Sequence, residues 1–572
     1  MELLLDGRQV VPQPGQTLRQ LLVEAGLDSP VLSRRPLAAQ IAGETFTLNY
    51  VPLRRQDRTA LGKETPRRAM EASQGSVRLL RYGDSLGREV YERTALFVLF
   101  LAVRRLWPGA VAKMDFTVGD SLHVTLDKAP AFSAADMAPL RQAVAEIVSE
   151  DQPLIRSRMQ TKEAIAFFRA DGQEDKAQLL EWRPVPYFDA YRSGDYLDYF
   201  YGEMLPSTGY LTVWDLHYGG GNSLFFLYPD HNDPDRVAHF REMPNFTAVF
   251  EESERWGQLM DCEVVADLNE LTASGKLREL IRVNEALHER SFSQIADRIL
   301  ARGAKAVLLA GPSSSGKTTS AHRLAVQLRV HGKRPVLMSL DDYYIDRDKI
   351  LPDENGEVDL EHINTIDTAL FRQQLEALLA GEEVELPTFD FKLGKRVMTG
   401  KRLSLKEDSM VIIEGLHGLN PVLLPQGLDP NLIFRMYLSP LIPLNLDNHN
   451  RIPTTYLRLL RRIVRDHETR GASVAHTLSM WASVRRGEEK WIFPFQENAD
   501  VIFNSSFVYE PAILKKYIYP LLTAVGPENP YYSEVRTIVK VLNYVQEADV
   551  DNEIPPTSIL REFIGGNTFY QA

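Results

Sequence analysis

In the second half of the chain, apolar residues fall into short runs separated by stretches of helical spacing. Residues 306–310 (AVLLA) and the start of 411–419 (VIIEGLHGL) are buried-strand patterns, while Ala321, Leu324, Ala325 and Leu328 mark one face of a helix. This alternation predicts an α/β architecture over residues 284–572, a parallel sheet with helices on both faces. The first 60 residues read differently. A strand-like MELLLDG turns at Asp6-Gly7, a helix-like LRQLLVEAG stops at Gly26, and strand-like LAAQIAG and TFTLNYVPL follow, which predicts a small β-grasp module. Residues 94–103 (TALFVLFLAV) are apolar throughout between Arg93 and Arg104. That run is about half the ~20 residues of a membrane span, so a buried helix is expected and no membrane partner. Residues 246–283 mix charges with short apolar stretches and read as a connector.

Composition narrows the class without choosing a function. The 572 residues are 44% hydrophobic and 25% charged, the balance of a folded soluble protein rather than a disordered one. A net charge of −12 argues against a whole-surface grip on nucleic acid. The single cysteine, Cys262, excludes an intrachain disulfide framework. No basic leader followed by an apolar stretch is visible in MELLLDGRQ, and a cytoplasmic location is expected.

The firmest chemistry lies in GPSSSGKT at residues 311–318, which fits G-x-x-x-x-G-K-[ST] between a strand and a helix. Glycine lets such a loop wrap a polyphosphate so that backbone N–H groups and a helix N-terminus face the anion. Gly311, Ser313, Ser314, Ser315, Gly316, Lys317, Thr318 and Thr319 are therefore the expected nucleotide-binding residues. Lys317 would reach the β- and γ-phosphates, and the Thr318 hydroxyl would face Mg²⁺.

Two acids follow at strand ends, where parallel sheets place their ligand crevice. RPVLMSLDDYY carries Asp341 and Asp342, either of which can orient an acceptor hydroxyl and take its proton. Glu414 ends the VIIE strand, suited to hold magnesium opposite Thr318. RLLRRIVRDHETRG adds Arg458, Arg461, Arg462 and Arg465 at helical spacing, with Arg470 beyond, a charged face suited to clamp phosphate oxygens in a lid. No guanine-reading N/T-K-x-D occurs between 320 and 572, which disfavours a GTPase.

The order GPSSSGKTTS, SLDDYY, VDLEHINTID, LPTFDFKLGKR, VIIEGLHGL, RRIVRDHETRG and ENADVIFN resembles the uridine kinase and phosphoribulokinase group of P-loop kinases. That resemblance implies ATP as phosphate donor with Mg²⁺, Asp341 as the base at a nucleoside 5′-hydroxyl, Thr318 and Glu414 at the metal, and Arg465 and Arg470 in the lid. It further implies that Glu361, Asp390, Phe389 and Arg462 line the acceptor side. Departures fall on base reading: Gly394 stands where the group has a His, Phe389 where it has a Tyr, Met480 where it has a Gln, and Ala472 replaces a third lid arginine.

The N-terminal half resembles threonyl-tRNA synthetase. Residues 1–60 are similar to its TGS domain, and residues 61–245 to its editing domain, through LGREVYERTALFVLFLAVRRLWPGA and YLDYFYGEMLPSTGYL. The metal-ligand positions of that editing domain align with Arg93, Phe97, Phe200 and Met204, none of which supplies an imidazole or thiolate donor. The metal site is expected to be lost, leaving an RNA-shape-recognising shell or an oligomerisation surface.

Three functions emerge as expectations. The first is ATP-dependent phosphoryl transfer to a hydroxyl of a nucleoside, with altered base specificity. The second is a phosphoribulokinase-like sugar-phosphate kinase, for which Lys392, Lys395, Arg396, Lys401 and Arg402 would supply a basic pocket. The third is a nucleotide-switched, tRNA-associated regulator whose arginines Arg8, Arg19, Arg34, Arg35, Arg54, Arg55 and Arg58 contact phosphates.

Overall fold

A computed structural model describes residues 2–41, 43–52, 76–350 and 359–570. Strand Leu3–Leu5 pairs antiparallel with Arg8–Val10 across Asp6 and Gly7, both at positive φ. Helix Leu18–Glu24 opens on a capping box between Thr17 and Gln20 and buries Leu18, Leu21 and Leu22. Strands Ala38–Ile41 and Glu44–Thr47 follow as a hairpin. The sheet then takes in Ser76–Leu80, parallel to the first strand and antiparallel to Ala38–Ile41. Sequence patterning assigned that strand to the second unit. The expected boundary at residues 60 and 61 lies outside the described residues, as do Arg54, Arg55 and Arg58.

The apolar run 94–103 is the buried centre of helix Ser85–Leu106. Around it stand a four-stranded antiparallel sheet from residues 111–227 and a three-stranded sheet from residues 155–198. One hydrophobic core runs continuously from Leu3 to Tyr228, so the N-terminal sheet and this α+β layer share an interior. The connector is not a loose tether. It folds into helices Pro244–Leu259 and Val265–Ala273 and the start of Leu277–Arg302. Phe246 and Phe250, one turn apart, are buried, and so is Cys262.

The C-terminal half holds a five-stranded sheet in the order Arg334–Ser339, Ser409–Glu414, Ala306–Ala310, Ile433–Ser439 and Val501–Asn504, all parallel. Successive residues of a strand point to opposite faces. Accordingly Ala306 and Leu308 enter one core while Val307 and Leu309 enter the other. Helices on both faces satisfy the expectation of a doubly covered α/β sheet.

A short hairpin, Asn445–Asp447 and Asn450–Arg451, leaves this half and plugs into the other. The Met114 N–H donates to Asn448 O at 2.8 Å, and Asn445 Nδ2 donates to Met114 O at 2.7 Å. The Tyr199 hydroxyl donates to Asp447 at 2.6 Å, and the His449 ring stacks on Phe100 at 3.9 Å. Deeper still, Asp198 is shared between Lys176 and His449. Burial pushes the Asp198 carboxyl up, but Lys176 and then His449 overcome it and hold the group well below its ordinary range.

Candidate active site

The loop after strand Ala306–Ala310 follows backbone demands that its residues meet. Ser314 has φ 60° and Gly316 φ 85°, and a Cβ on Gly311 would lie 2.4 Å from Leu438 O. The chain thus winds tightly before helix Lys317–Val330. Among the described residues, the buried hydroxyls of Ser314, Ser315 and Ser320 have no hydrogen-bond partner, an unmet polarity at the heart of the loop. Lys317 Nζ rests on Pro312 O at 3.1 Å, bridging its own loop.

Around Lys317 gather three half-buried carboxyls from three separate strand ends and loops. Burial raises Asp341, with Lys317 opposing and Asp342 adding to the rise. Burial and then Asp341 push Glu414 up to about 7, against Lys317. Burial and then Glu488 push Glu361 up to about 7, against Lys317 and Arg462. Three acids thus compete for one ammonium in a desolvated crevice, and burial raises each of them. Asp342, by contrast, points away. It accepts the Phe389 N–H at 3.3 Å and so ties the hairpin Val384–Asp390/Lys395–Leu403 to the Asp341 loop.

That hairpin and its neighbours hold the residues expected on the acceptor side. Phe389 meets Tyr344 at 5.6 Å and Phe391 at 5.1 Å, making an aromatic wall. Asp390 does not face Asp341 through any recorded contact; its carboxylate accepts the N–H groups of Lys392 and Leu393 and closes the hairpin turn. Gly394 has φ 65°, which disfavours a side chain there, and a Cβ would lie 2.7 Å from Cδ of the exposed Arg347, which would have to move aside. Met480 is 39% exposed on the outer part of helix Val474–Trp491. Further along the same helix, a Cβ on Gly487 would stand 2.3 Å from Glu361 Cβ, so glycine lets the helix press against that acid.

The arginine-rich helix Thr454–Arg470 is not the uniform phosphate clamp its spacing suggests. Arg458 and Arg461 are 2% and 0% exposed and are neutralised by bidentate pairing with Glu488 and Glu510. They spend their remaining donors on the loop: Arg461 Nη1 reaches Ser314 O at 3.3 Å, and Arg458 Nη1 reaches Ser313 O at 3.5 Å. The apolar residues between them on the helix carry both inward, which converts charge into scaffolding. Arg462 Nη1 donates to Ser313 Oγ at 3.0 Å. Arg465 lies 3.6 Å from Asp466, and Arg470, mostly exposed, 3.1 Å from the same acid.

Glu488 escaped sequence reasoning. Besides Arg458 it accepts the Ser313 N–H at 3.0 Å, so a buried ion pair grips the first turn of the phosphate loop. A wholly buried acid 175 residues away carries no local signature; only its spacing from Arg485 along the helix hinted at an ion pair.

In the N-terminal half, Phe97, Phe200 and Met204 share one hydrophobic core, and Arg93 reaches the backbone between the last two. Phe97 lies 6.5 Å from Phe200, Met204 is fully buried, and Arg93 Nη1 donates to Glu203 O at 2.8 Å. Apolar packing and a guanidinium fill that place. Three of the N-terminal arginines are engaged within the fold: Arg19 and Arg35 lie over the Tyr210 ring, at 4.9 and 3.6 Å, and Arg8 donates to Ala25 O. Among the described residues no helix is long and apolar enough to cross a membrane.

Comparison with known proteins follows the same division. Residues 307–509 match the Phosphoribulokinase / Uridine kinase family. Uridine kinase of Staphylococcus aureus is 29% identical over 195 residues, 34% of this chain and 84% of that protein. Over the N-terminal part, threonine–tRNA ligase of Syntrophomonas wolfei is 27% identical over 209 residues, 36% of this chain and 29% of that protein. The chain therefore spans under a third of the length of the ligases it matches. A solved structure described as a possible uridine kinase of Bacillus stearothermophilus is 21% identical, with a TM-score of 0.26 over 37% of this chain and 98% of that one. The resemblance read from the motifs is thus shown on both sides: a segment that matches the Phosphoribulokinase / Uridine kinase family follows one similar to threonine–tRNA ligase.

Proposed function

We propose that the chain is a kinase that transfers the γ-phosphoryl group of ATP to a hydroxyl of a nucleoside or a related sugar-bearing molecule. The observation that carries this reading is the convergence of Asp341, Glu361 and Glu414 on Lys317 beside the phosphate loop, at the carboxyl ends of a parallel sheet. The acceptor oxygen forms a bond to the γ-phosphorus as the bond from that phosphorus to the β,γ-bridging oxygen breaks. The acceptor's proton passes to Asp341, and ADP leaves. Catalysis of this kind is mostly positioning and charge neutralisation, which Lys317, the loop N–H groups and the arginines Arg462, Arg465 and Arg470 are suited to supply.

The Thr318 hydroxyl and the Glu414 carboxylate offer oxygen donors of the kind that suits Mg²⁺, and a cation there would offset the burial and the Asp341 charge that push Glu414 up. When bound, the ion would neutralise charge developing on the transferring phosphate. On the acceptor side, Tyr344, Phe389 and Phe391 favour stacking on a flat ring over hydrogen-bond reading of its edge. Such a site would bind nucleosides with weakened base discrimination. A sugar-phosphate acceptor has less support, since Arg396 is spent on Asp367 and Arg402 on Glu383, each at 2.9 Å.

The test is an ATP-consumption screen of the full chain against purine and pyrimidine nucleosides and pentose phosphates. Turnover with several nucleosides is expected. Turnover with pentose phosphates alone would replace the acceptor assignment, and none with any acceptor would move weight to a nucleotide-binding regulator.

A further inference from the structure

Beyond residue 550 the chain returns to the phosphate loop. Glu562 Oε2 accepts both the Thr319 N–H, at 3.3 Å, and the Thr319 hydroxyl, at 2.8 Å. Thr319 stands in the first turn of helix Lys317–Val330, whose leading N–H groups lack partners within the helix and carry the positive end of its dipole. Those are the donors that such a loop turns on a nucleotide's phosphates. A carboxylate and a phosphate oxygen are rival anions for them.

The rest of the segment holds this carboxylate in place. Asn567 Nδ2 donates to Thr319 Oγ1 at 3.2 Å, and the Tyr570 hydroxyl lies 3.0 Å from the same oxygen. Phe569 stacks on His322, one turn further along the helix, at 5.3 Å and 14° between planes. Ile559 approaches so closely that a Cβ on Gly316 would lie 2.4 Å from its Cγ2. The Thr319 end of the cradle is thus covered, while the buried Ser314 and Ser315 hydroxyls at its centre are without partners among the described residues.

The segment has a fixed root and a freer end. Ile559, Leu560 and Phe563 are fully buried and anchor it in the core. Gly565 and Gly566 follow at φ 86° and 79°, both exposed, and a Cβ on Gly565 would meet nothing within 4 Å. Two exposed glycines at positive φ, between a buried root and a hydrogen-bonded end, make a hinge.

We propose that residues 559–570 are an autoinhibitory strap, in which Glu562 stands in for a nucleotide phosphate: its side chain must rotate off Thr319, and residues 567–570 must swing away about Gly565 and Gly566, before ATP or ADP can seat there. The proposal rests on the reading of residues 311–319 as a nucleotide site. It assigns residues 559–570 a competition with substrate rather than a contribution to its binding.

The test uses the full-length protein and metal-free ADP as probe. Glu562→Gln keeps the shape of the side chain and removes its charge, and it is expected to bind ADP about 5–20-fold tighter than wild type, the scale of one charge-assisted contact. In the wild type, ADP is expected to increase backbone hydrogen exchange at residues 565–570, as the strap leaves. Equal or weaker ADP binding by Glu562→Gln, or exchange at 565–570 that slows with ADP, overturns the strap and makes the segment part of the binding wall. Absence of ADP binding by both proteins, with exchange unmoved, overturns the nucleotide reading itself and the strap with it. The exchange measurement needs no variant, so misfolding of Glu562→Gln would leave the question decidable.

Discussion

Asp341 and Asp342 are adjacent in sequence yet do different work. Asp341 faces Lys317 in a desolvated crevice, while Asp342 is occupied by the Phe389 N–H. Asp341→Asn is therefore expected to keep ATP binding and lose turnover by about 10²–10⁴-fold, the range of a positioned base. Lys317→Ala should impair both, and steady-state kinetics with a nucleotide-binding titration separates them. Glu414 gives a sign that can be checked without any substrate. Its folded carboxyl sits at about 7 against an ordinary 4.5, so the folded protein binds more protons than the unfolded chain between those values. Stability at this group is then full below about 4.5 and is lost as pH rises through 7. Glu414→Gln should raise thermal stability in metal-free buffer at pH 8, by about 1–3 kcal/mol at most, and little at pH 4. Equal effects at both pH values would show that the crevice is not what holds the proton.

At the scale of elements, the phosphate loop is held from outside as much as from within. Arg461 and Glu510, both fully buried, pair beneath it, and Arg461 also reaches Ser314 O and Ser505 O. Removing one member of such a pair strands the other without water, at a cost of about 3–5 kcal/mol. Glu510→Gln is expected to lower the denaturation midpoint accordingly, whereas Arg470→Ala, on a mostly exposed ion pair, should change it by less than about 1 kcal/mol. Gly316→Ala combines a φ of 85° with a collision on Ile559, and a loss of about 1–3 kcal/mol together with weakened ADP binding is expected. These elements also divide what sequence can reveal from what it cannot. The loop, the strand ending in Glu414 and the sheet class were legible because their residues are contiguous and their spacing is set by local geometry. The roles of Glu488 and Glu562 were not, since each meets the loop across more than 170 residues of chain. The helix Thr454–Arg470 misled for a related reason. Its periodic arginines resemble a clamp until the buried acids opposite Arg458 and Arg461 are seen.

For the whole molecule, the deciding contact is the network of Lys176, Asp198, Tyr199, Asp447 and His449 between the halves. Nothing periodic announces it, because its members are single polar residues spread over 273 positions. Cooperative unfolding of both halves in one calorimetric transition is expected, and Asp447→Ala, which leaves the Tyr199 hydroxyl without its acceptor, should split or broaden that transition. Two well-separated transitions in the wild type would count against this coupling. The same hairpin bears on how such a protein can be assembled from parts. A family segment is commonly treated as a module that can be grafted onto a new neighbour, yet Asn445, Asp447 and His449 make hydrogen bonds to Met114, Tyr199 and Asp198 of the other half. Transplanting a different synthetase-like half onto this segment would leave Asp447 and His449 facing strangers, so the two parts are portable together and not apart.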